Sequence, residues 1–263
     1  MADVVLYEVS ERIATITLNR PEQRNALSSE VLRQLPRRLA EADASDDVDV
    51  VILTGADPAF CAGLDLKELG DTEGNLGGGS GADSRPNASG VRGPFPARTK
   101  PLIGAVNGVA VTGGLELALN CDFLVASERA RFGDTHTRVG VMPGWGLTVL
   151  LPQAIGLRRA KEMSLTGNFL TGEEAYQWGL VNHVVDHAEL IPFTRRLALD
   201  VIGNDQPGVR QIRATYDEVS RTTAADGWQV ETTDSRAWQK ARFSRDEVAR
   251  RRDAIMERGR TQP

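Results

Sequence analysis

Two side chains in the middle of the chain could carry proton chemistry. Glu116 lies in the otherwise apolar stretch "GLELAL" (residues 114–119), and His136 lies between two threonines in "FGDTHTRVGVMPG" (132–144). A carboxylate among leucines either faces solvent or sits in a pocket, where burial raises its pKa toward that of a usable acid or base. An imidazole titrates near neutrality, within about pH 5–8, so His136 is either a packing residue or a proton donor and acceptor.

Two glycine-bearing turns could stabilise negative charge. The segments "FCAGLDL" (60–66) and "VTGGLELALNCD" (111–122) each follow an apolar run and lead into a helical pattern, the second with Gly113 at the helix start. A helix N-terminus presents unpaired backbone N–H groups, and glycine lets a ligand approach them closely. If the two turns face one another, they supply the pair of donors that a developing oxyanion needs; otherwise they are ordinary tight turns.

The elements that must position these residues alternate between strands and helices. A hairpin opens the chain, and a helix capped by Ser28 or Ser29 follows, with Pro36 expected to kink or split it. Thr171 and Glu174 form a predicted capping box before "GEEAYQW", which Gly179 terminates. Further strands are predicted at 48–55, 101–111, 122–127 and 180–185.

The predicted fold class is therefore α/β with a helical C-terminal region. Strands alternate with helices to about residue 186, and the remainder is helical in pattern. We predict a core domain over residues 1–190 and a C-terminal helical region over 191–263. Residues 71–98 are rich in Gly, Ser, Pro and Asp without an apolar face, which predicts a flexible loop inside the core domain.

Composition limits the classes of function. The chain has 263 residues and a formal net charge of −5, which argues against a nucleic-acid binder. It has no apolar run long enough to cross a bilayer, and no signal peptide pattern at its start. Two isolated cysteines suggest neither a disulfide framework nor a zinc site. These features predict a soluble cytoplasmic protein without a metal site or a membrane partner.

Several long motifs, taken in order, resemble the crotonase superfamily of enoyl-CoA hydratases and isomerases. They are "NRPEQRNALS", "VVILTGADPAFCAGLDL", "KPLIGAVNGVAVTGGLELALNCDFLVAS", "ARFGDTHTRVGVMPG" and "GLVNHVV". The match runs in register from residue 6 to about 190 and more loosely to the end. The resemblance implies a spiral of repeated ββα units and a C-terminal helical trimerisation region. It also implies a homotrimer or a dimer of trimers.

The resemblance assigns roles to individual residues. The backbone N–H groups of Leu64 and Gly113 would hold the thioester carbonyl of an acyl-CoA, and Glu116 matches the first catalytic glutamate of the hydratases. His136 falls where those hydratases carry their second glutamate, which is a departure from the family pattern. The residues implied in binding the substrate are Arg24, Ala62, Leu64, Asp65, Leu66, Lys67, Gly113 and Trp145, with Trp145 reshaping the acyl pocket.

These matches predict a hydro-lyase that adds water to a trans-2-enoyl-CoA. Glu116 would activate the water, and His136 would handle the proton at C2 or orient the water. Coenzyme A would enter as part of the substrate, and no metal or redox cofactor is predicted. Two alternatives remain open. One is a double-bond isomerase or another crotonase-type reaction enabled by His136, and the other is an acyl-CoA-binding protein without turnover.

Overall fold

The strands of the protein form two sheets. The computed structural model describes residues 3–72 and 93–261. The strands are β1 (Val5–Ser10), β2 (Ile13–Leu18), β3 (Val50–Gly55), β4 (Ala59–Cys61), β5 (Leu102–Val106), β6 (Val109–Val111), β7 (Phe123–Ser127), β8 (Arg131–Gly133), β9 (Phe169–Thr171) and β10 (His183–Val185). One sheet has the order β1-β2-β3-β5-β7-β10 and the other β4-β6-β8-β9. Only the pairs β1–β2 and β8–β9 are antiparallel among these strands.

Helices follow the strand pairs and then dominate the C-terminal part of the chain. They are α1 (Ser29–Ala44), α2 (Leu66–Thr72), α3 (Gly113–Leu119), α4 (His136–Val139), α5 (Leu147–Ile155), α6 (Leu157–Thr166), α7 (Gly172–Trp178), α8 (Leu190–Ile202), α9 (Gln206–Val219), α10 (Ala224–Arg242) and α11 (Arg245–Thr261). Short 3-10 helices cover Pro21–Gln23 and His187–Glu189. None of the helices in these described ranges has the length and apolar content that spanning a membrane requires.

The central architecture is a ββα unit that occurs three times. The successive units are β3-β4-α2, β5-β6-α3 and β7-β8-α4, and in each the first strand joins the six-stranded sheet and the second joins the four-stranded sheet. The predicted α/β class with repeated ββα units is therefore confirmed. Because equivalent strands pair in parallel, the helices that follow them begin on the same side of the molecule.

The predicted strand at 101–111 is in fact two strands in different sheets. Chain direction changes at Asn107 and Gly108, between β5 and β6. A Cβ atom at Gly108 would lie 2.3 Å from the Pro58 carbonyl oxygen, so only glycine allows this close backbone approach. Continuous apolar character hid the break, because both strands are largely buried.

Helix α1 runs through Pro36 and is not split there. Ser28 caps it by accepting a hydrogen bond from the Val31 N–H, as predicted from its residue type. A proline inside a helix costs about 3 kcal/mol. The apolar face of α1 provides the compensating packing, because Leu35 and Leu39 are both buried. The predicted capping box of Thr171 and Glu174 is confirmed at α7.

The core lies on both faces of the six-stranded sheet. Leu53 belongs to a large cluster that includes residues of both sheets, such as Phe60 and Phe132. Ile52, which points to the opposite face, packs in a second cluster with residues of α8 such as Ala198. Helix α8 thus covers the sheet face that the ββα units leave open.

The chain divides into two compact units, Met1–Pro207 and Gly208–Pro263. Helix α8 belongs to the first unit, and its Leu190, Thr194 and Ala198 are buried. In the second unit, α10 and α11 confirm the helical pattern that the sequence predicts.

Most of the predicted flexible loop, residues 73–92, lies outside the described residues. At its start, α2 extends to Thr72. At its end, Phe95 packs against the large core cluster, and Arg98 forms an ion pair with Asp122 at 2.9 Å. Residues 93–98 are therefore part of the packed structure.

Candidate active site

The two glycine-bearing turns meet in space. Leu27 and Leu64 form a parallel β-bridge that fixes the first turn, with the Leu27 N–H donating to the Gly63 carbonyl at 2.8 Å. A Cβ atom at Gly113 would lie 3.8 Å from the Gly63 Cα. The turn after β4 and the turn after β6 are thus neighbours, as a shared oxyanion site would require.

The backbone N–H groups of Leu64 and Gly113 meet no protein acceptor among the described residues. Gly113 is the first residue of α3, where an N–H has no intrahelical partner. Within the part of the chain that the structure describes, neither the Leu64 N–H nor the Gly113 N–H donates a hydrogen bond. A buried donor without a partner costs free energy, so these two groups are available to a ligand oxygen.

The backbone around these donors is constrained. Thr112 has φ 48° and ψ −120°, which is an uncommon conformation for a β-branched residue and fixes the orientation of the peptide before Gly113. Gly63 has φ +82°, and a Cβ atom there would lie 1.8 Å from the Thr112 Oγ1. The first turn therefore requires glycine, and the second turn packs directly against it.

Glu116 is in a pocket and does not face solvent. It is 3% exposed, and its Oε1 accepts a hydrogen bond from the Trp145 backbone N–H at 2.7 Å. Asn120 holds this arrangement, because its side-chain amide donates to the carbonyls of Glu116 and Trp145 at 2.8 and 2.9 Å. The carboxylate is thus fixed one turn after Gly113. Its Oε2 takes no part in the hydrogen bond to Trp145.

His136 lies between two carboxylates. It is the first residue of α4 and is 4% exposed. Its Nδ1 is 2.6 Å from the Asp134 Oδ1, and its Nε2 is 3.5 Å from the Glu116 Oε2. The structure therefore brings Glu116 and His136 together, and an imidazole held in this way is placed for proton transfer.

The surroundings of His136 favour its charged form. Burial lowers the pKa of His136, but the hydrogen bonds and negative charges of Asp134 and Glu116 outweigh it and raise the pKa to about 9. The imidazole is therefore protonated at neutral pH, whereas its residue type alone suggests an ionisation between about pH 5 and 8. Burial raises the pKa of Asp134, but hydrogen bonds, first of all from His136, more than offset this and lower it overall.

The tryptophan predicted to reshape the acyl pocket borders the glycine turns. The Trp145 ring would lie 3.4 Å from a Cβ atom at Gly113, and the Leu27 side chain would lie 3.0 Å from it. The Trp145 ring thus lies next to the second turn, and its backbone N–H donates to Glu116.

The residues predicted to contact the coenzyme A part of a substrate flank the first turn. Arg24 is exposed, and its carbonyl accepts from the Ala62 N–H at 3.0 Å. Leu66 and Lys67 are exposed on α2. Asp65 differs, because it is buried and its carboxylate pairs with Arg20.

The Asp65 side chain is engaged in the fold. Its Oδ2 accepts from Arg20 at 2.8 Å, and its Oδ1 accepts from the Lys67 N–H at 3.1 Å. Burial raises the pKa of Asp65, but these hydrogen bonds lower it overall. Asp65 therefore holds α2 against the segment around Arg20, and its backbone is also engaged, because its N–H donates to the Leu27 carbonyl at 3.1 Å and its carbonyl accepts from the Leu69 N–H at 2.9 Å.

Two residues of the site were missed in the sequence analysis. Asp134 precedes His136 by two residues, and an Asp-x-His spacing is the signal that points to it. Asn120 follows Glu116 by four residues on one helix face, a spacing that brings side chains together. Neither signal is strong without the fold, because both residue types are common on surfaces.

The described residues contain no group of three or more His, Cys, Asp or Glu placed to hold a metal ion. Cys61 and Cys121 are free thiols, and burial raises the pKa of each to about 12. Neither cysteine is therefore suited to act as a nucleophile.

Comparison with known proteins gives the family of the chain. The model of the family "Enoyl-CoA hydratase/isomerase" matches residues 8–262. A probable peroxisomal enoyl-CoA hydratase of Arabidopsis thaliana is 39% identical over 78% of this chain and 75% of its own length. A crotonyl-CoA hydratase of Syntrophomonas wolfei is 33% identical over 83% of both chains.

Solved structures agree with this match. An enoyl-CoA hydratase from Mycobacterium tuberculosis has a TM-score of 0.74 and 49% identity, covering 89% of this chain and 97% of that one. One from Bacillus anthracis has a TM-score of 0.84 and 32% identity, with 96% of both chains covered. The fold, the paired glycine turns and these matches agree, and the chain belongs to the enoyl-CoA hydratase/isomerase family of the crotonase superfamily.

Proposed function

We propose that this protein is a hydro-lyase that adds water across the double bond of a trans-2-enoyl-CoA. The observation that carries the proposal is the Glu116–His136 pair, held 3.5 Å apart beside two free backbone N–H groups. Relatives named as enoyl-CoA hydratases and a crotonyl-CoA hydratase support the same reaction class.

The two N–H groups would activate the substrate. The thioester carbonyl oxygen would accept hydrogen bonds from Leu64 and Gly113, which draws electron density from the conjugated double bond toward that oxygen. C3 then becomes electrophilic, and the enolate that forms on attack places its negative charge on the bound oxygen. Donors fixed in advance stabilise such a charge without reorganisation during the reaction.

Glu116 and His136 would divide the proton transfers. Glu116 takes a proton from water as the water oxygen bonds to C3, and the electron pair of the double bond moves into the enolate. The Nε2–H of His136 then gives its proton to C2, and the carbonyl reforms. The product is a 3-hydroxyacyl-CoA, with the incoming proton left on Glu116 and one proton lost from His136.

The remaining predicted residues would bind the coenzyme A portion and the acyl chain. Exposed Arg24 and Lys67 flank the first turn and offer positive charge to phosphates. The backbone of residues 62–67 would carry the pantetheine arm past Leu64. Trp145 would form a wall of the acyl pocket next to Gly113.

The family resemblance supports further proposals about cofactors, cellular location, partners and assembly. The enzyme would need no metal or redox cofactor, since the two N–H groups and the acid–base pair account for each step. It would act in the cytoplasm on acyl-CoA of fatty acid metabolism, with neither a membrane nor a nucleic-acid partner. It would assemble as a homotrimer or a dimer of trimers through its C-terminal helices.

A substrate panel tests the function. Trans-2-enoyl-CoAs of several chain lengths should lose their conjugated absorbance and yield 3-hydroxyacyl-CoA. Glu116→Gln should reduce this rate by about 10²–10⁴, the usual contribution of a general base. Glu162→Gln, an exposed carboxylate on α6, is the control.

The same panel separates the alternatives. Conversion of trans-3- to trans-2-enoyl-CoA without hydration would identify an isomerase. Binding of a saturated acyl-CoA by calorimetry, with neither reaction, would identify an acyl-CoA-binding protein. Either result would overturn the hydratase proposal.

A further inference from the structure

We propose that Asp134 is a positioning residue that fixes the His136 ring so that Nδ1–H is donated to Asp134 and Nε2 faces Glu116. Its importance for turnover rests on the proposed function, whereas its effect on the ring does not. The arrangement is an Asp134–His136–Glu116 array in which the two carboxylates flank one imidazole. In this array, His136 can transfer the proton on Nε2 and can then regain a proton from Glu116.

The geometry requires Nδ1 to be the donor toward Asp134. The Nδ1–Oδ1 distance is 2.6 Å, and both side chains are almost fully buried. A carboxylate whose pKa is lowered is ionised at neutral pH and can only accept. The proton between the two atoms must therefore belong to Nδ1, which leaves Nε2 as the atom that gains and loses a proton.

Asp134 is itself held in place. It is 2% exposed, and the Oδ1 that contacts the ring also accepts from the His136 backbone N–H at 3.1 Å. The Ser164 hydroxyl on α6 contributes a further hydrogen bond that lowers the pKa of Asp134. A carboxylate with several fixed donors cannot rotate away, so it orients the ring as a second-layer carboxylate does in many histidine sites.

The other carboxylate completes a proton cycle. After hydration, Glu116 is protonated and the His136 Nε2 is not. The Glu116 Oε2 and the Nε2 are 3.5 Å apart, at the outer limit of a hydrogen bond. One proton can move from the Glu116 Oε2 to Nε2, which restores a carboxylate and an imidazolium. The site thus returns to its starting state without a proton from bulk solvent.

The charged groups that face the imidazole come from two elements. Asp134 precedes α4, and Glu116 projects from α3; these two carboxylates are the charges that act on the ring. Helix α6, which packs near α4, contributes the uncharged Ser164 hydroxyl. The titration of His136 should therefore depend on these two acids, and changing either should move it toward lower pH.

A titration of the free protein tests the positioning role without reference to turnover. The chain has three histidines, so nitrogen-15 resonances of the His136 ring can be assigned by comparison with His136→Gln. We expect the ring to titrate near pH 9 and the neutral form to keep its proton on Nδ1. Asp134→Asn should move the midpoint toward the ordinary histidine range, about pH 6.5. Asp49→Asn, another buried carboxylate, is the matched control.

Kinetics test whether Asp134 acts through His136. Asp134→Asn should lower kcat about 10-fold or more with little change in KM, since a misplaced general acid loses part of its usual 10²–10⁴-fold contribution. In a His136→Gln background the same change should have no further effect on kcat. Asp134→Glu should recover part of the rate.

The outcomes distinguish this inference from the proposed function. If Asp134→Asn leaves the His136 titration and tautomer unchanged, the positioning role is wrong, whatever the enzyme catalyses. If the kcat losses of Asp134→Asn and His136→Gln simply multiply, Asp134 acts on the fold and not on the ring. If the titration shifts but the parent protein hydrates no trans-2-enoyl-CoA, the positioning role holds and the proposed function fails.

Discussion

A single residue distinguishes this site from one with two catalytic glutamates. At position 136 an imidazole lies against Asp134 and near Glu116, so a positive charge sits between two negative ones. A glutamate there would place three carboxylates together, and like charges in a buried site disfavour ionisation. Histidine and Asp134 therefore form a matched pair, and changing one alters what the other contributes.

The effect of Asp134→Asn on the free energy of unfolding should change sign with the residue at position 136. With His136 present, Asp134→Asn removes a buried ionic partner and should lower the free energy of unfolding by about 3 kcal/mol. In a His136→Glu background the same change removes a repulsive charge and should raise it. Urea unfolding of the four proteins at pH 8 measures both effects. Destabilisation by Asp134→Asn in both backgrounds would contradict the pairing.

The pH dependence of stability should reveal the charge on His136. Its pKa is about 9 in the folded protein and near 6.5 in the unfolded chain, so the stabilisation is fully present below pH 6.5 and is lost as pH rises through 9. It amounts to about 3 kcal/mol at most, since one pKa unit corresponds to about 1.4 kcal/mol. The stability gap between the parent and His136→Gln should shrink from pH 6 to pH 9.5. An equal gap at both values would mean that the ring is neutral when folded.

Turnover should depend on the same ionisation. If the His136 imidazolium supplies the proton for C2, kcat/KM should fall on the alkaline side with a midpoint near 9, because that ratio reports groups of the free enzyme. His136→Ala should lower the rate by about 10²–10⁴ and remove this limb. As a control, His136→Ala should still bind a saturated acyl-CoA in calorimetry, which would show that the binding site is intact. If His136→Ala leaves the rate and the pH profile unchanged, His136 only lines the pocket and takes no part in proton transfer.

At the scale of elements, one short helix carries several parts of the site. Helix α3 presents the free N–H of Gly113, the Glu116 carboxylate one turn later, and the Asn120 amide just after its last turn. These positions fall on one face of a helix. The turn before α3 therefore sets the distance between the proposed oxyanion donor Gly113 and the proposed base Glu116, and a change there should affect both.

Gly113→Ala tests whether the turn before α3 positions the Gly113 N–H for turnover. The added Cβ would lie 3.0 Å from the Leu27 side chain and 3.4 Å from the Trp145 ring, which flexible side chains can absorb with a small shift. The protein should fold, but the shifted N–H should cost about 10²–10³ in kcat, the loss seen when one oxyanion donor is removed. Gly113→Val should do the same with a further loss of stability. Gly259→Ala on α11, with no atom within 4 Å of the new Cβ, is the control. Parent-like turnover of a folded Gly113→Ala would exclude this N–H as a donor.

Elements differ in how far they could be predicted from the sequence. The hairpin of β1 and β2 and the capped helices α1 and α7 follow from local patterns, and the structure confirms them. The three-residue strands β4, β8 and β9 were not predicted, because they are too short to show an alternating pattern. Their pairing into a second sheet depends on contacts between distant segments, which local propensity does not encode.

In the whole molecule, the site too could be predicted only in part from local sequence patterns. Glu116 and His136 could be selected from residue type together with the family resemblance. Asp134 and Asn120 could not, because Asp134 acts through the meeting of His136 with Glu116 and Asn120 through the meeting of its amide with the Trp145 carbonyl, and both are contacts between segments distant in sequence. The packing of α8 on the sheet likewise depends on tertiary contacts, which a local sequence pattern does not show.

An exposed apolar face of α9 suggests where copies of the chain assemble. Helix α9 exposes Ile212 (61%) and Tyr216 (73%), which are four residues apart and so lie on one helix face. Exposed apolar patches of this kind mark interaction surfaces in soluble proteins. We expect sedimentation to give three or six times the chain mass of 28.5 kDa, and Ile212→Asp with Tyr216→Asp to shift the protein to smaller species. Val9→Asp, on the partly exposed strand β1, should leave the mass unchanged. A monomeric parent at all concentrations, or a double variant of unchanged mass, would show that this face does not hold subunits together.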